Sequence, residues 1–279
     1  LVKVANPTAA RNPCPADDAV DVPRDVALSW TASELAAAHD VYLGTGLDDV
    51  SAATRSEPRD VLVSQAQSAA SYDPPVRLDF DTTYYWRVDE VNGSPDNTVF
   101  PGAVWSFTTE SYSYPVENVV ATSNGAFEDE AGPENTVNGS GLDASDQHST
   151  ESTDMWLAGP GDDPLWIQFQ FDRVYQLHQM LVWNYNVEFE LILGFGIKDV
   201  TVAYSTDGEE WTALSDAELT QATARRTYAA NSTIDFGGVA AQYVRLSVNS
   251  GFGSMGQYGL SEVRFTYIPV NAREPQPAD

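Results

Sequence analysis

One cysteine, Cys14, occurs in the 279 residues, so no disulfide can form within the chain. Positive charge is also scarce. Fourteen Lys and Arg stand against 41 Asp and Glu, a formal net charge of −27. That balance excludes nucleic acid as a partner, because phosphate contacts need clustered cations. Anionic membranes and heavily sulfated glycans are disfavoured on the same ground. No apolar run approaches the ~18–20 residues of a membrane-crossing helix, and membrane insertion is not expected. Neither a Ser/His/Asp order, a Cys/His pair, a His-rich metal motif nor a phosphate-binding glycine loop is present, so the chain reads as non-catalytic. A long helical stripe is missing too. The chain opens on Leu1 with no Met and no signal peptide, and reads as a piece of something longer.

What the sequence does hold is β-forming material. Hydrophobic residues make up 42% and aromatics 11%, enough for two cores, and the length suits two domains of ~100–150 residues each. Val, Ile, Tyr, Trp and Phe come in short alternating runs broken by Gly, Pro, Asn and Asp, the pattern of short strands and turns. Strands are predicted at 26–30, 39–43, 83–91 and 104–108, then at 165–171, 179–186, 196–205, 243–248 and 259–265. Residues 10–17, Ala-Arg-Asn-Pro-Cys-Pro-Ala-Asp, match 272–279, Ala-Arg-Glu-Pro-Gln-Pro-Ala-Asp, at six of eight positions. A Pro-rich spacer reused between modules explains that match. The expected organisation is a linker at 1–11, a first domain at 12–112, a second at 113–269, and the start of a further repeat at 270–279. The expected fold class is all-β, with both domains β-sandwiches.

Trp30, Leu78, Tyr84 and Trp86-Arg87-Val88 resemble the pattern of fibronectin type III domains, Ig-like sandwiches that usually act as spacers. The resemblance makes Tyr84 the tyrosine-corner residue, its hydroxyl bonded back to the main chain. In the second domain five segments carry a resemblance: Glu134-Asn135 through Asn138-Gly139 to Trp156; Trp166-Ile-Gln-Phe169; Val200 through Ser205 and Asp207-Gly208 to Trp211; Ala241-Gln-Tyr-Val-Arg-Leu246; and Leu260-Ser-Glu-Val-Arg-Phe265. Together they resemble the discoidin, or coagulation factor 5/8 C-type, domain, a jelly-roll sandwich that includes the family-32 carbohydrate-binding modules.

That resemblance implies one structural Ca2+, an ion that takes ~6–8 oxygen ligands. Asn138, Asp143 and Asp146 from the acidic loop and Glu262 from the last strand are the candidate ligands. Galactose binders of the family carry a His after the Trp of this segment and an Arg after the next strand. Here Leu157 follows Trp156, and Trp183-Asn-Tyr-Asn186 stands at the second place, so that galactose pocket is not expected. Candidates for a different glycan site are Asn184, Tyr185, Asn186 and Glu188 on one loop, and Phe252, Gln257 and Tyr258 in the Gly-rich stretch 250–259. Trp86 and Trp183 read as core, and His39, His148 and His178 as structural. The expected function is a calcium-stabilised, non-catalytic module that binds a neutral glycan, in a larger secreted or cell-surface bacterial-type protein. The alternative is a repeat unit of an extracellular layer, sheath or filament that contacts neighbouring copies or other proteins.

Overall fold

The computed structural model of the chain describes residues 9–93, 95, 97–159 and 164–269. These divide between Tyr112 and Ser113 into two compact units. Linker residues 1–8 and the second copy of the repeated segment, 272–279, lie outside the described residues.

The first unit runs β1 (Arg11–Cys14), β2 (Ala19–Val22), β3 (Leu28–Thr31), β4 (Ala36–Gly44), α1 (Leu47–Ala52), β5 (Leu62–Gln67), β6 (Ser71–Tyr72), β7 (Thr83–Asn92), β8 (Val99–Phe100) and β9 (Val104–Thr109). One sheet has the order β1-β3-β6; the other has the order β2-β9-β7-β4-β5, with β8 on β7. Alternation along each strand turns Leu28 and Trp30, Val41 and Leu43, Trp86 and Val88, and Trp105 and Phe107 into one core. Burial of each large side chain contributes ~1.5–3 kcal/mol. The Tyr84 ring stacks on Phe107 at 5.8 Å, and its hydroxyl accepts the Asp79 N–H at 3.1 Å.

A second, polar interior lies on β4 and β7. The Arg87 guanidinium spends all five N–H groups. Two go to the Asp89 carboxylate, two to the Val50 and Ser51 carbonyls, and one to the Ala53 carbonyl. These carbonyls end α1, whose last turn has no basic residue of its own. Asp40 receives Arg55 through two N–H groups, and Glu90 meets the Nδ1 of His39 at 2.6 Å.

The second unit runs β10 (Tyr114–Pro115), β11 (Val120–Ser123), β12 (Ala126–Phe127), β13 (Trp156–Gly159), β14 (Trp166–Asn184), α2 (Glu190–Leu193), β15 (Ile197–Ser205), β16 (Thr212–Glu218), β17 (Ser232–Gly251) and β18 (Tyr258–Tyr267). The strands predicted at 165–171 and 179–186 are the two ends of β14. Asp172, Arg173 and Val174 between them are exposed, and the register with β17 slips there, between Gln170 and Tyr175. Such a slip bends a strand. Before it, β14 pairs with β11 and the second half of β17, which continues to β15 and β16. After it, β14 pairs with the first half of β17 and with β18, which continues to β13 and β12. The hydrogen-bonded sheet therefore folds over on itself. Its inner faces meet where Phe169 and Phe171 pack on Phe265 at 5.3 and 5.0 Å.

Candidate functional site

β14 ends in Asn184-Tyr-Asn186, which the sequence suggested as ligand-binding. Both asparagines are fully buried. The Asn184 amide donates to the Ile197 and Thr220 carbonyls, and its oxygen accepts the N–H groups of Tyr185 and Ile197. Asn186 donates to the Ser149 and Arg225 carbonyls and accepts from the Arg225 N–H. A buried amide with its hydrogen bonds spent on main chain joins loops and has nothing left for a ligand. Glu188 is exposed. Phe252 is half-buried in a loop tied down by the Gly253 N–H to the Gly194 carbonyl, 2.7 Å, and Tyr258 is half-buried against the core.

Tyr185 and Gln257 do come together. Both line a cavity of about 770 Å3, with Ala126 and Phe127 from β12, Glu128, Asp129, Glu130 and Ala131 from the following turn, Ser152 and Thr153, and Leu157 and Gly159 from β13. Phe127 is 46% exposed. The turn is fixed from below: Ala131 N–H donates to the Glu128 carbonyl, the Asn135 amide to the Glu130 carbonyl, and Leu157 N–H to the Ala131 carbonyl. Tyr185 is 2% exposed, and burial, with Glu190 nearby, pushes its hydroxyl up to about 12. It is therefore a neutral O–H at physiological pH, free to donate or accept.

The candidate calcium ligands separate. Glu262 is 3% exposed and faces a second cavity of about 440 Å3, lined also by Glu117, Asn118, Asn138 and Gly139. Its carboxyl accepts the Gly139 N–H at 3.2 Å, and burial pushes it up to about 7. Asp143 instead accepts the N–H groups of Ser145 and Gln147 within its own loop, and Asp146 pairs with Arg264 at 2.8 Å. Trp183 is buried, its Nε1 on the Asp146 carbonyl. His148 is buried with its Nδ1 facing the Ser149 carbonyl, and burial pulls its pKa down. Among the described residues no three of His, Cys, Asp and Glu come together. A hard cation in this cavity would meet Glu262, Glu117, Asn118 and Asn138 in its lining, and the Asn138 amide oxygen already accepts the Ser140 N–H at 2.8 Å.

A protein-family model, the F5/8 type C domain, matches residues 118–262, just over half of the chain. The chain belongs to the F5/8 type C domain family. Three similar solved structures from Clostridium perfringens illustrate the likeness, the first being CBM32-3 from a family 31 glycoside hydrolase (20% identity, 56% of this chain, 95% of that chain, TM-score 0.42). The family 32 CBM of NanJ in complex with galactose is similar at 10% identity, over 55% of this chain and 98% of that chain, TM-score 0.42. CpGH89 in complex with GlcNAc-alpha-1,4-galactose is similar at 14% identity, TM-score 0.39; the match covers 58% of this chain and 15% of that chain. No curated protein matches.

Within the F5/8 type C unit, the residues that sequence reasoning missed are Phe127 to Glu130, Ser152 and Thr153. An acidic turn after a two-residue strand carries no periodic signal. One available clue was Phe127, an aromatic between a Gly-containing turn and three acids.

Glu262 sets a pH response. Its carboxyl is raised from 4.5 to about 7 by burial, so the folded unit keeps a proton that the unfolded chain has released. Without metal, stability should be full below about pH 4.5, fall as the pH rises to about 7, and level off, losing roughly 3 kcal/mol. Urea unfolding in chelator between about pH 5 and pH 8 measures this. A flat profile, or one that Glu262→Gln leaves unchanged, would count against a buried neutral carboxyl.

Proposed function

We propose that the F5/8 type C unit is a carbohydrate-binding module, and that the first unit is a fibronectin type III-like spacer, both parts of a secreted multi-module protein of bacterial type with no catalysis in this chain. The carrying observation is the cavity at Phe127, Tyr185 and Gln257. Its volume lies within the ~300–1,000 Å3 of small-ligand sites. Phe127 offers an aromatic face for sugar C–H groups, and Tyr185, Gln257, Ser152 and Thr153 offer hydroxyls and an amide for sugar hydroxyls. In the first unit the Tyr84 hydroxyl bond supports the spacer reading. Ca2+ at Glu262 is the structural ion of this reading. Bound there, it would compensate the carboxylate charge, and the pH slope described above should disappear in excess Ca2+.

A glycan array followed by calorimetry tests the module. Phe127→Ala is expected to weaken binding about tenfold or more, with an unchanged melting temperature, since an exposed aromatic on a sugar contributes on the order of 1–2 kcal/mol. The competing reading, a repeat unit that contacts neighbouring copies, is favoured by the exposed Phe189, Leu191 and Ile192 around α2. Failure to bind any glycan, together with ordered polymers in sedimentation, would decide for it.

A further inference from the structure

The 770 Å3 cavity is lined by three successive carboxylates, Glu128, Asp129 and Glu130, and, among the described residues, by no lysine, arginine or histidine. All three are exposed, and none makes a side-chain hydrogen bond or ion pair among the described residues. Several acids elsewhere do have partners: Asp40, Asp89 and Asp146 hold arginines, and Asp143 and Asp207 fold their own loops. The acidic turn is held rigidly by the Asn135 amide, and Glu130 sits at φ 71°, a backbone region costly for a residue with a Cβ.

A second observation is independent of the carboxylates. Tyr185 is almost wholly buried and lines the same cavity, and its hydroxyl makes no hydrogen bond to a described residue. That hydroxyl is not sealed from solvent, so a ligand hydroxyl entering the cavity takes the place of a water partner. The site thus combines an aromatic face, an available hydroxyl and uncompensated negative charge.

We propose that this cavity takes an amino sugar with a free, protonated amine, a glucosamine- or galactosamine-type unit, and rejects sialic and uronic acids; the proposal rests on the glycan-binding reading. The sugar ring packs on Phe127, the ammonium is held by Glu128, Asp129 and Glu130, and a ring hydroxyl meets Tyr185. Ammonium–carboxylate hydrogen bonds are stronger than those between neutral groups. The net charge of −27 adds long-range attraction for a cation and repulsion for an anion.

The test is calorimetry of the whole chain with β-1,4-linked glucosamine oligosaccharide, its N-acetylated form and an oligogalacturonide, with and without Ca2+. The amine form should bind about tenfold tighter than the acetylated form, as expected for two or three partly exposed charge pairs, and the uronide should not bind. The gap should narrow as salt approaches ~0.5 M. It should close in the triple variant Glu128→Gln, Asp129→Asn, Glu130→Gln, whose fold is checked by circular dichroism. Phe127→Ala should weaken both forms. Equal or tighter binding of the acetylated form, or a gap that survives in the triple variant, would overturn the amine preference and leave glycan binding standing. Binding that needs Ca2+ and ignores acetylation would reassign the carboxylates to a bridging ion and also overturn it. Binding of none of the three sugars, with the glycan array also blank, would sink both readings.

Discussion

Asn184→Leu should cost the second unit at least about 3 kcal/mol, because it leaves three buried main-chain groups without partners at ~1–3 kcal/mol each and frees a fourth that is part-buried. Those groups are the Ile197 and Thr220 carbonyls and the Tyr185 and Ile197 N–H groups. Leucine brings apolar surface, but it cannot serve any of the four. The neighbourhood is also committed: the Asn184 N–H donates to the Tyr228 hydroxyl, which donates onward to Asn231, and the Asn184 carbonyl accepts from Ser261. For a unit of this size the loss lowers Tm by roughly 6 °C or more. Scanning calorimetry measures it. A fall of a degree or two would mean that the loops rearrange and find other partners.

Arg87→Met is the second large effect, and it falls on the other unit. It removes the cation from a buried Asp89 carboxylate and the donors from three carbonyls at the end of α1. Breaking a buried pair from one side costs about 3–5 kcal/mol. Burial already raises the Asp89 pKa, with Arg87 opposing. Without the guanidinium the rise is larger, so the folded variant holds a proton that the unfolded chain releases. The variant's loss of stability should therefore be smaller in acid and grow as the pH rises. Arg87→Met with Asp89→Leu should regain part of the loss, because removing both partners leaves no isolated charge. Urea unfolding of the three proteins checks this. Equal losses in the single and double variants would show that the carbonyls, and not Asp89, dominate.

These two residues also show what could be read before the fold was known. Periodic segments were legible: β3, β4, β7, β9, β14, β15 and β18 each overlap a strand predicted from alternation. The short edges β1, β2, β6, β10 and β12, at two to four residues, were too brief to show a period. The first half of β17 was missed as well, since Asp235, Gly237 and Gly238 break its alternation. At the site, Tyr185 and Gln257 were picked out and do line one cavity. Asn184 and Asn186 were picked out with them, for polarity in an aromatic setting. That signal is the same whether an amide faces a sugar or closes main-chain bonds inside the protein. Burial separates the two cases, and it depends on where Ile197, Thr220 and Arg225 arrive from distant parts of the chain. Asp143 and Asp146 were grouped with Glu262 by loop composition, while the fold spends them on a turn and on Arg264.

The long strands β14 and β17 bear on how the second unit comes apart. Each passes from one layer into the other, so the two layers share covalent ribs and cannot peel away independently. Fluctuations that expose main-chain amides in one layer must travel along those ribs into its opposite face. The acidic turn and the Gly-rich stretch sit outside this lattice. Each is pinned to its neighbours, the turn by the Asn135 amide and the Gly-rich loop by the Gly253 N–H, so a visitor meets walls already in place.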